Sequence, residues 1–406
     1  MGVRALFFAY FSFAGLFAPW LGVWLDARGM SIVQIGLLLA VPQVMRLVGP
    51  PLWGGWADRT QRGILLLRCS AAGALILVAL LAVTGQAWEI ALALALLCFM
   101  TAGQMPIGES MAIRQVQGDP GGYGRIRIWG STGYIVTVLG GGAVLDALGL
   151  DAWPWVMAVS LLGLFGVTLL MREEPKPGAD TPLVVTDQAA DKGAGRASTK
   201  IAATSGEGTG TTAGTSILSR LRERAVLAFL VSVFCMIFAH GALYGFWSLY
   251  LERHGYSRFE IGMIWALGVV AEILLFALQR RLFDRFGAVS LLVFSFWIAA
   301  LRFALMALTE AQVWVVVLTS LMHAVTFGVH HSASMALLHR LFPASQQGRA
   351  QAAFIVVGYG LGAGLGGVVA GLLWESLMPS ATWWGASLAA LLGLLALQPL
   401  SSLRRS

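Results

Sequence analysis

Twelve apolar stretches, six before and six after one long polar segment, constrain what this chain can fold into more than anything else in it. Each has room for the roughly 20 residues that cross about 30 Å of hydrocarbon as a helix. Lipid obliges every backbone N–H and C=O in such a stretch to find its partner within its own segment. The sequence therefore predicts an all-α integral membrane protein: twelve transmembrane helices in two six-helix halves. The predicted spans are roughly 3–25, 31–53, 64–84, 88–111, 124–148, 153–171, 224–251, 257–279, 288–308, 312–339, 348–375 and 381–400. Composition agrees, with 58% hydrophobic and 12% charged residues, where a soluble domain carries about 25% charged. A helical array of this size and symmetry reads as a solute transporter.

The formal charge is +7, and its placement says more than its sign. Basic residues gather in alternate loops: Arg59 and Arg62, then Arg114, then the stretch from Arg172 to Arg224, then Arg280, Arg281 and Arg285, then Arg340 and Arg349, and last Arg404 and Arg405. The intervening loops hold few, chiefly Arg28, Arg253 and Arg258. This positive-inside bias predicts a multi-pass protein with both termini in the cytoplasm. It reports topology and gives no reason to expect a nucleic-acid partner. Cys69, Cys98 and Cys235 fall inside apolar spans, so no disulfide framework is expected. The first stretch is too long for a signal-peptide core and is read as helix 1. Glu173 to Ser219, rich in Gly, Ser, Thr, Ala and charge, cannot bury a core and is expected to be a flexible cytoplasmic linker. The domain reading is thus an N-terminal half at 1–172, a linker at 173–219 and a C-terminal half at 220–406.

Helix 11 carries Gly358, Gly360, Gly362, Gly364, Gly366, Gly367 and Gly371, and helix 5 the run Gly140-Gly141-Gly142. Small residues four apart let another backbone approach; close helix packing and a bending hinge are both open for them.

Between helices 2 and 3 stands Gly54-Gly55-Trp56-Ala57-Asp58-Arg59-Thr60-Gln61-Arg62. It resembles the Gly-x-x-x-Asp-Arg-x-Gly-Arg-Arg loop of the major facilitator superfamily, with Gln61 at the second glycine and Gly63 at the last arginine. Gly54, Asp58 and Arg59 are taken as a conformational loop: Asp58 can pair with a basic group or cap a helix end and hold one side shut. Arg281-Leu282-Phe283-Asp284-Arg285-Phe286-Gly287 echoes it between helices 8 and 9. Pro106-Ile107-Gly108-Glu109 followed by Gly124-Arg125-Ile126-Arg127-Ile128-Trp129-Gly130 is similar to the lactose permease pattern of a carboxylate and then Gly-Arg-x-Arg. The stretch 122–131, Gly268 to Ile273, and Arg302 with His323 are similar to the phenylpropionate permease group. The resemblance implies the major facilitator fold, a bacterial cytoplasmic (inner) membrane location, and a substrate contact by Arg127 with Glu109.

An ionisable side chain at mid-bilayer costs about 2.5–3.5 kcal/mol on insertion scales, so each one needs a reason. Arg125 and Arg127 are two residues apart, roughly 200° round a helix, and cannot both enter one cavity. Arg127 is assigned inward and Arg125 to the interface, although both sit near a helix start and could snorkel. Glu109 can form a structural ion pair with Arg114 or Arg127, or bind substrate. Arg46 lacks an acid on its own helix and wants a partner helix or an anionic ligand. Glu272 shares a face with Trp265, Gly268, Phe276 and Gln279; His323 with Phe327, His330 and Ser334; His240 with Tyr244 and Trp247. These stripes line a water-filled cavity or bond between helices.

The candidate substrate residues are Arg46, Glu109, Arg127, His240, Trp247, Trp265 and Arg302, and the candidate proton-coupling residues Glu272, His323 and Glu109. One departure from lactose permease is that Thr326 stands where a glutamate follows the helix-10 histidine. The leading expectation is a proton-coupled importer of a small aromatic carboxylate such as 3-phenylpropionate, working by alternating access. A proton symporter of a sugar or nucleoside is the alternative, then a drug/proton antiporter or a non-transporting solute sensor. No nucleophile-base set, phosphate loop or metal-ligand spacing is present, so an enzyme is not expected. Expected partners are a small-molecule substrate, the proton and membrane lipid. No obligate protein partner, no metal and no cofactor beyond the coupling proton are expected.

Overall fold

A computed structural model describes residues 2–116, 119–172 and 217–400. The predicted linker at 173–219 falls almost wholly outside the described residues, as do Arg404 and Arg405. Among the described residues, twelve helices are long and apolar enough to cross a membrane: α1 Gly2–Ala27, α2 Ile32–Thr60, α3 Gly63–Val83, α4 Ala87–Val116, α5 Gly122–Leu148, α6 Leu150–Leu170, α7 Arg224–Arg253, α8 Arg258–Phe286, α9 Ala288–Leu308, α10 Val313–Leu341, α11 Ala344–Ser376 and α12 Pro379–Leu400. The fold is all-α, as the apolar spans predict, and the observed helices overrun several predicted ends by one or two turns because polar helix ends stand clear of the hydrocarbon.

Proline and glycine explain the breaks in these helices. α1 turns at Ala18–Trp20, where Pro19 has no N–H to give. α4 is interrupted at Gly103, against which the Trp53 ring packs while its Nε1 donates to the Phe99 carbonyl at 2.8 Å. Two segments are wound as π-helix, Ala324–Val329 in α10 and Ile355–Gly362 in α11. Such turns cluster at functional sites in proteins.

The core is aromatic and tightly fitted. Trp24 and Trp153 meet at 5.0 Å, and Trp153 Nε1 donates to the Leu16 carbonyl at 2.8 Å, tying α6 to α1. α1 packs on α5 and α6, α7 on α11 and α12, α2 on α11, and α5 on α8. The glycines of α11 divide between two partners. Gly358, Gly362 and Gly366 face Val233, Phe234 and Phe238 of α7, while Gly360, Gly364 and Gly371 face Leu47, Gln43 and Ile32 of α2. The run in α5 divides three ways: Gly141 meets Leu16 of α1, Gly142 meets the Arg258 carbonyl of α8, and Gly140 faces open space.

The contacts between the first six and last six helices close one end of the molecule. There Arg253 of α7 pairs with Asp26 of α1 at 2.7 Å, and Arg258 of α8 lies 3.9 Å from Asp146 of α5. Asp146, at the end of α5, accepts the backbone N–H groups of Arg258 and Phe259 at 2.9 and 2.8 Å, capping α8. Glu375, at the end of α11, accepts from the Val33 N–H at 2.7 Å, capping α2. At the other end, where the Asp58 loop lies, Gly54, Gly55 and Gly124 have open space beside them.

Candidate substrate and coupling site

Two groups of polar side chains stand out within the apolar helices. The first comes from α2, α4 and α5. Arg127 Nη1 lies 3.6 Å from Glu109 Oε1 and donates to the Tyr123 hydroxyl at 3.4 Å. Both members of the ion pair are about half exposed, at 57% and 41% of their side chains. Arg125, on the other face of α5, pairs instead with Asp119 at 2.8 Å. The 200° separation of the two arginines explains why they take different partners. Arg46 is exposed, makes no ion pair among the described residues, and holds its guanidinium 5.9 Å from the Tyr359 ring of α11. Tyr359 in turn lies 3.4 Å, hydroxyl to Nδ1, from His331 of α10.

The second group is buried in the last six helices. Arg302 of α9 is 3% exposed and donates from Nη1 to Thr326 Oγ1 at 3.0 Å and to His323 Nδ1 at 3.2 Å. His240 Nδ1 meets the Met236 carbonyl at 2.9 Å, and its Nε2 meets Thr326 Oγ1 at 3.3 Å. A carbonyl only accepts, so His240 carries a proton on Nδ1, and the one Thr326 hydroxyl proton has two acceptors in reach, His240 Nε2 and the His323 carbonyl at 3.4 Å. Guanidinium, hydroxyl, imidazole and carbonyl are thus linked across α9, α10 and α7. Arg302 has no carboxylate partner among the described residues, and its Nε is buried without an acceptor.

An aromatic wall joins the two groups. Tyr244 stacks on Trp265 at 5.9 Å and meets the His323 ring edge-on at 6.0 Å. Trp265 Nε1 donates to Ser248 Oγ at 2.9 Å. His323 stacks on Phe327 at 5.3 Å, and Phe327 on His331 at 6.3 Å. Regular α-helical spacing aligns His330 with His323. The π-helical turn between them shifts the register, so His331 continues the ladder and His330 turns to Phe296 of α9 at 5.5 Å. Glu272 of α8 lies beside Gly328, whose missing Cβ would stand 3.2 Å from its Cγ, and within electrostatic reach of Arg127, Tyr134, Tyr244 and Tyr359.

The structure thus pairs Glu109 with Arg127, sets Arg46 against Tyr359 of α11, and puts Glu272 beside Gly328 of α10. It places Arg302, His323 and His240 behind the Tyr244–Phe327 wall, with Trp265 in that wall. Trp247 stands apart: it stacks on Tyr250 at 5.9 Å and meets Trp383 of α12 edge-on at 5.6 Å, so its surroundings are those of a core residue. Thr326 and Tyr359 were not among the predicted site residues. Thr326 gave a signal, one turn beyond His323; Tyr359 gave a weaker one, a phenol amid glycines. In the loop, Asp58 and Arg59 are exposed and make no ion pair among the described residues. Gln61 closes α2 in the left-handed region at φ 55°, donating its N–H to the Ala57 carbonyl at 2.8 Å. That backbone is why the superfamily loop favours glycine there.

Residues 2–384 match the family described as MFS_1 like family. The chain belongs to that family, within the major facilitator superfamily. It is 29% identical over 93% of its length to the "Probable 3-phenylpropionic acid transporter" of Escherichia coli (strain K12), covering 92% of that protein. It is 26% identical over 98% of its length to the "Maltose permease" of Geobacillus stearothermophilus, covering 94% of it. The solved nucleoside transporter NupG superposes with a TM-score of 0.78, at 16% identity, over 98% of this chain and 99% of that one, a likeness of fold. The MFS_1-like chain is accordingly a secondary transporter, not an enzyme, and a multi-pass membrane protein.

Proposed function

We propose that this MFS_1-like transporter is a proton-coupled importer of a small aromatic carboxylate in the bacterial inner membrane. The observation that carries the reading is the set of arginines. Arg46 is exposed, has no ion pair among the described residues and stands 5.9 Å from the Tyr359 ring; Arg127 holds Glu109 at a loose 3.6 Å; and Tyr244 stacks on Trp265 in the aromatic wall. A carboxylate would engage a guanidinium bidentately, and a phenyl group would fill the ring-lined side. The likeness to the E. coli protein supports 3-phenylpropionate as the first compound to try. On the arginine bias we read the Asp58 end and both termini as cytoplasmic, and this conformation as the inward-open one. Alternating access then requires the Asp26, Asp146 and Glu375 contacts to part as two six-helix halves rock about the site. Glu272, between the arginine group and the histidines, is the proposed proton carrier; no other cofactor is invoked.

A second reading, a sugar or nucleoside symporter, is favoured by the Glu109–Arg127 pair, which can bracket hydroxyls, and by the maltose permease likeness. Uptake of labelled 3-phenylpropionate into proteoliposomes, with and without an inward proton gradient, separates the two. Gradient-driven accumulation that Glu272→Gln abolishes is the expected result. No uptake of it, with accumulation of maltose or uridine, supports the second reading.

A further inference from the structure

A concavity lies between α1, α5 and α6. α5 and α6 both pack on α1 but scarcely touch one another beyond the turn at Leu150–Ala152. They leave an apolar crevice of about 1140 Å³ with α1 as its floor. Its walls are hollowed by two glycines: a Cβ at Gly140 or Gly163 would meet no protein atom within 4 Å. The corresponding pair in the second six helices is closed, with Thr382 Oγ1 of α12 donating to the Ala370 carbonyl of α11 at 2.9 Å. The corresponding helices of the second half thus make contacts that α5 and α6 lack.

Its ends are marked. Trp129 and Trp155, 45% and 55% exposed, stand at opposite ends of the crevice, as tryptophans do at the two membrane surfaces. From Trp129 to Leu148 the α5 wall runs about 28 Å at 1.5 Å per residue, close to the hydrocarbon thickness of about 30 Å. At the Trp129 end the lining includes Arg4, exposed and without an ion pair among the described residues. Two more guanidiniums share that end. Arg68 is bonded to the carbonyls of Thr168 and Met171, and Arg172 follows Met171, which touches Gly2. An apolar slot as tall as the membrane, open to lipid along its length and cationic at one mouth, matches one chemistry.

We propose that this crevice is a binding site for an anionic phospholipid, its acyl chain lying along Gly140 and Gly163 and its phosphate held by Arg4. A guanidinium is weakly hydrated and presents paired donors to phosphate oxygens. The glycines leave the walls open where a long side chain would fill the slot. The site is independent of the transported substrate.

The test uses the full chain reconstituted in equal parts of phosphatidylglycerol and phosphatidylcholine with matched acyl chains. It is then extracted in mild detergent, and retained lipid is counted by native mass spectrometry. Wild type is expected to keep phosphatidylglycerol in preference to phosphatidylcholine. Gly140→Leu with Gly163→Leu, both of which point into the open slot, should lose lipid of either kind at least tenfold while circular dichroism and gel filtration stay unchanged. Arg4→Gln should keep lipid but lower the phosphatidylglycerol preference about fivefold, the weight of one basic residue at a membrane surface. Equal retention in wild type and the leucine variant overturns the proposal, as does a preference that Arg4→Gln leaves intact. A dimer that the leucine variant dissolves would assign the crevice to a second copy instead.

Discussion

At the scale of residues, the site combines exposed charge in one group and buried charge in the other, and the two answer to different measurements. Arg127 reaches both Glu109 and Tyr123 from Nη1 alone, so neither contact takes up its Nε or Nη2, and a planar fork can offer those to a carboxylate where a point charge on a flexible stem cannot. Arg127→Lys is expected to weaken substrate binding at least tenfold with the amount of folded protein unchanged, read by titrating ligand against purified protein. Retained affinity would remove the bidentate contact from the proposal. Thr326 is fully buried and joins Arg302 to His240. Interhelical hydrogen bonds in membranes average only about 0.6 kcal/mol, but here the donor is an ion and the hydroxyl serves two partners. Thr326→Val should therefore cost about 1–3 kcal/mol, seen as a lowered Tm of the purified protein, and Thr326→Ser should restore most of it.

Helix faces were readable in advance where periodicity alone decides them. The separation of Arg125 from Arg127 follows from 100° per residue, and the two have different partners. His330 shows the limit. Its alignment with His323 presumes a regular helix, and the π turn at Ala324–Val329 substitutes His331. Nothing local in Ala-Val-Thr-Phe-Gly-Val announces that extra residue; it is set by what the surrounding helices pack against. Trp247 and Trp265 present the same aromatic signal in sequence, yet one packs against Trp383 and the other forms the wall beside Tyr244.

At the scale of elements, glycine sets how closely helices approach. α7 and α11 lie so close at Gly366 that a Cβ there would collide with the Phe238 carbonyl. Backbone cannot yield as a side-chain tip can, so Gly366→Ala is expected to destabilise by about 1–3 kcal/mol, measured by thermal unfolding in detergent. The seven glycines of helix 11 advertise close packing in the sequence. That they serve two partners, α7 on one side and α2 on the other, depends on where those helices sit.

The whole molecule is held shut at one end by a matched pair of caps. Asp146 from α5 caps α8, and Glu375 from α11 caps α2, each crossing between the first and last six helices. A carboxylate at a helix N-terminus contributes about 0.3–1 kcal/mol, so each cap is worth up to about a fivefold preference for closure. Asp146→Asn with Glu375→Gln should shift the population toward opening at that end. The expected readout is a longer-distance component between spin labels on the α1–α2 and α7–α8 loops. An unchanged distance distribution would show that apolar contacts alone hold the end shut.

Hydropathy by itself determined twelve helices, their order and their approximate ends, because lipid leaves a chain of this pattern no other way to pair its backbone. The charged residues within those helices were equally visible, since each is costly enough to stand out. Only the tertiary structure decided which of them meet: Arg127 with Glu109, Arg302 with Thr326 and His323, Arg46 with a tyrosine and not an acid. It alone showed that three consecutive glycines serve three different surfaces, one of them empty. The reason is physical. Crossing a membrane is a property of one segment and its solvent, whereas a contact is a property of two segments, and their relative placement is written in no single stretch of sequence.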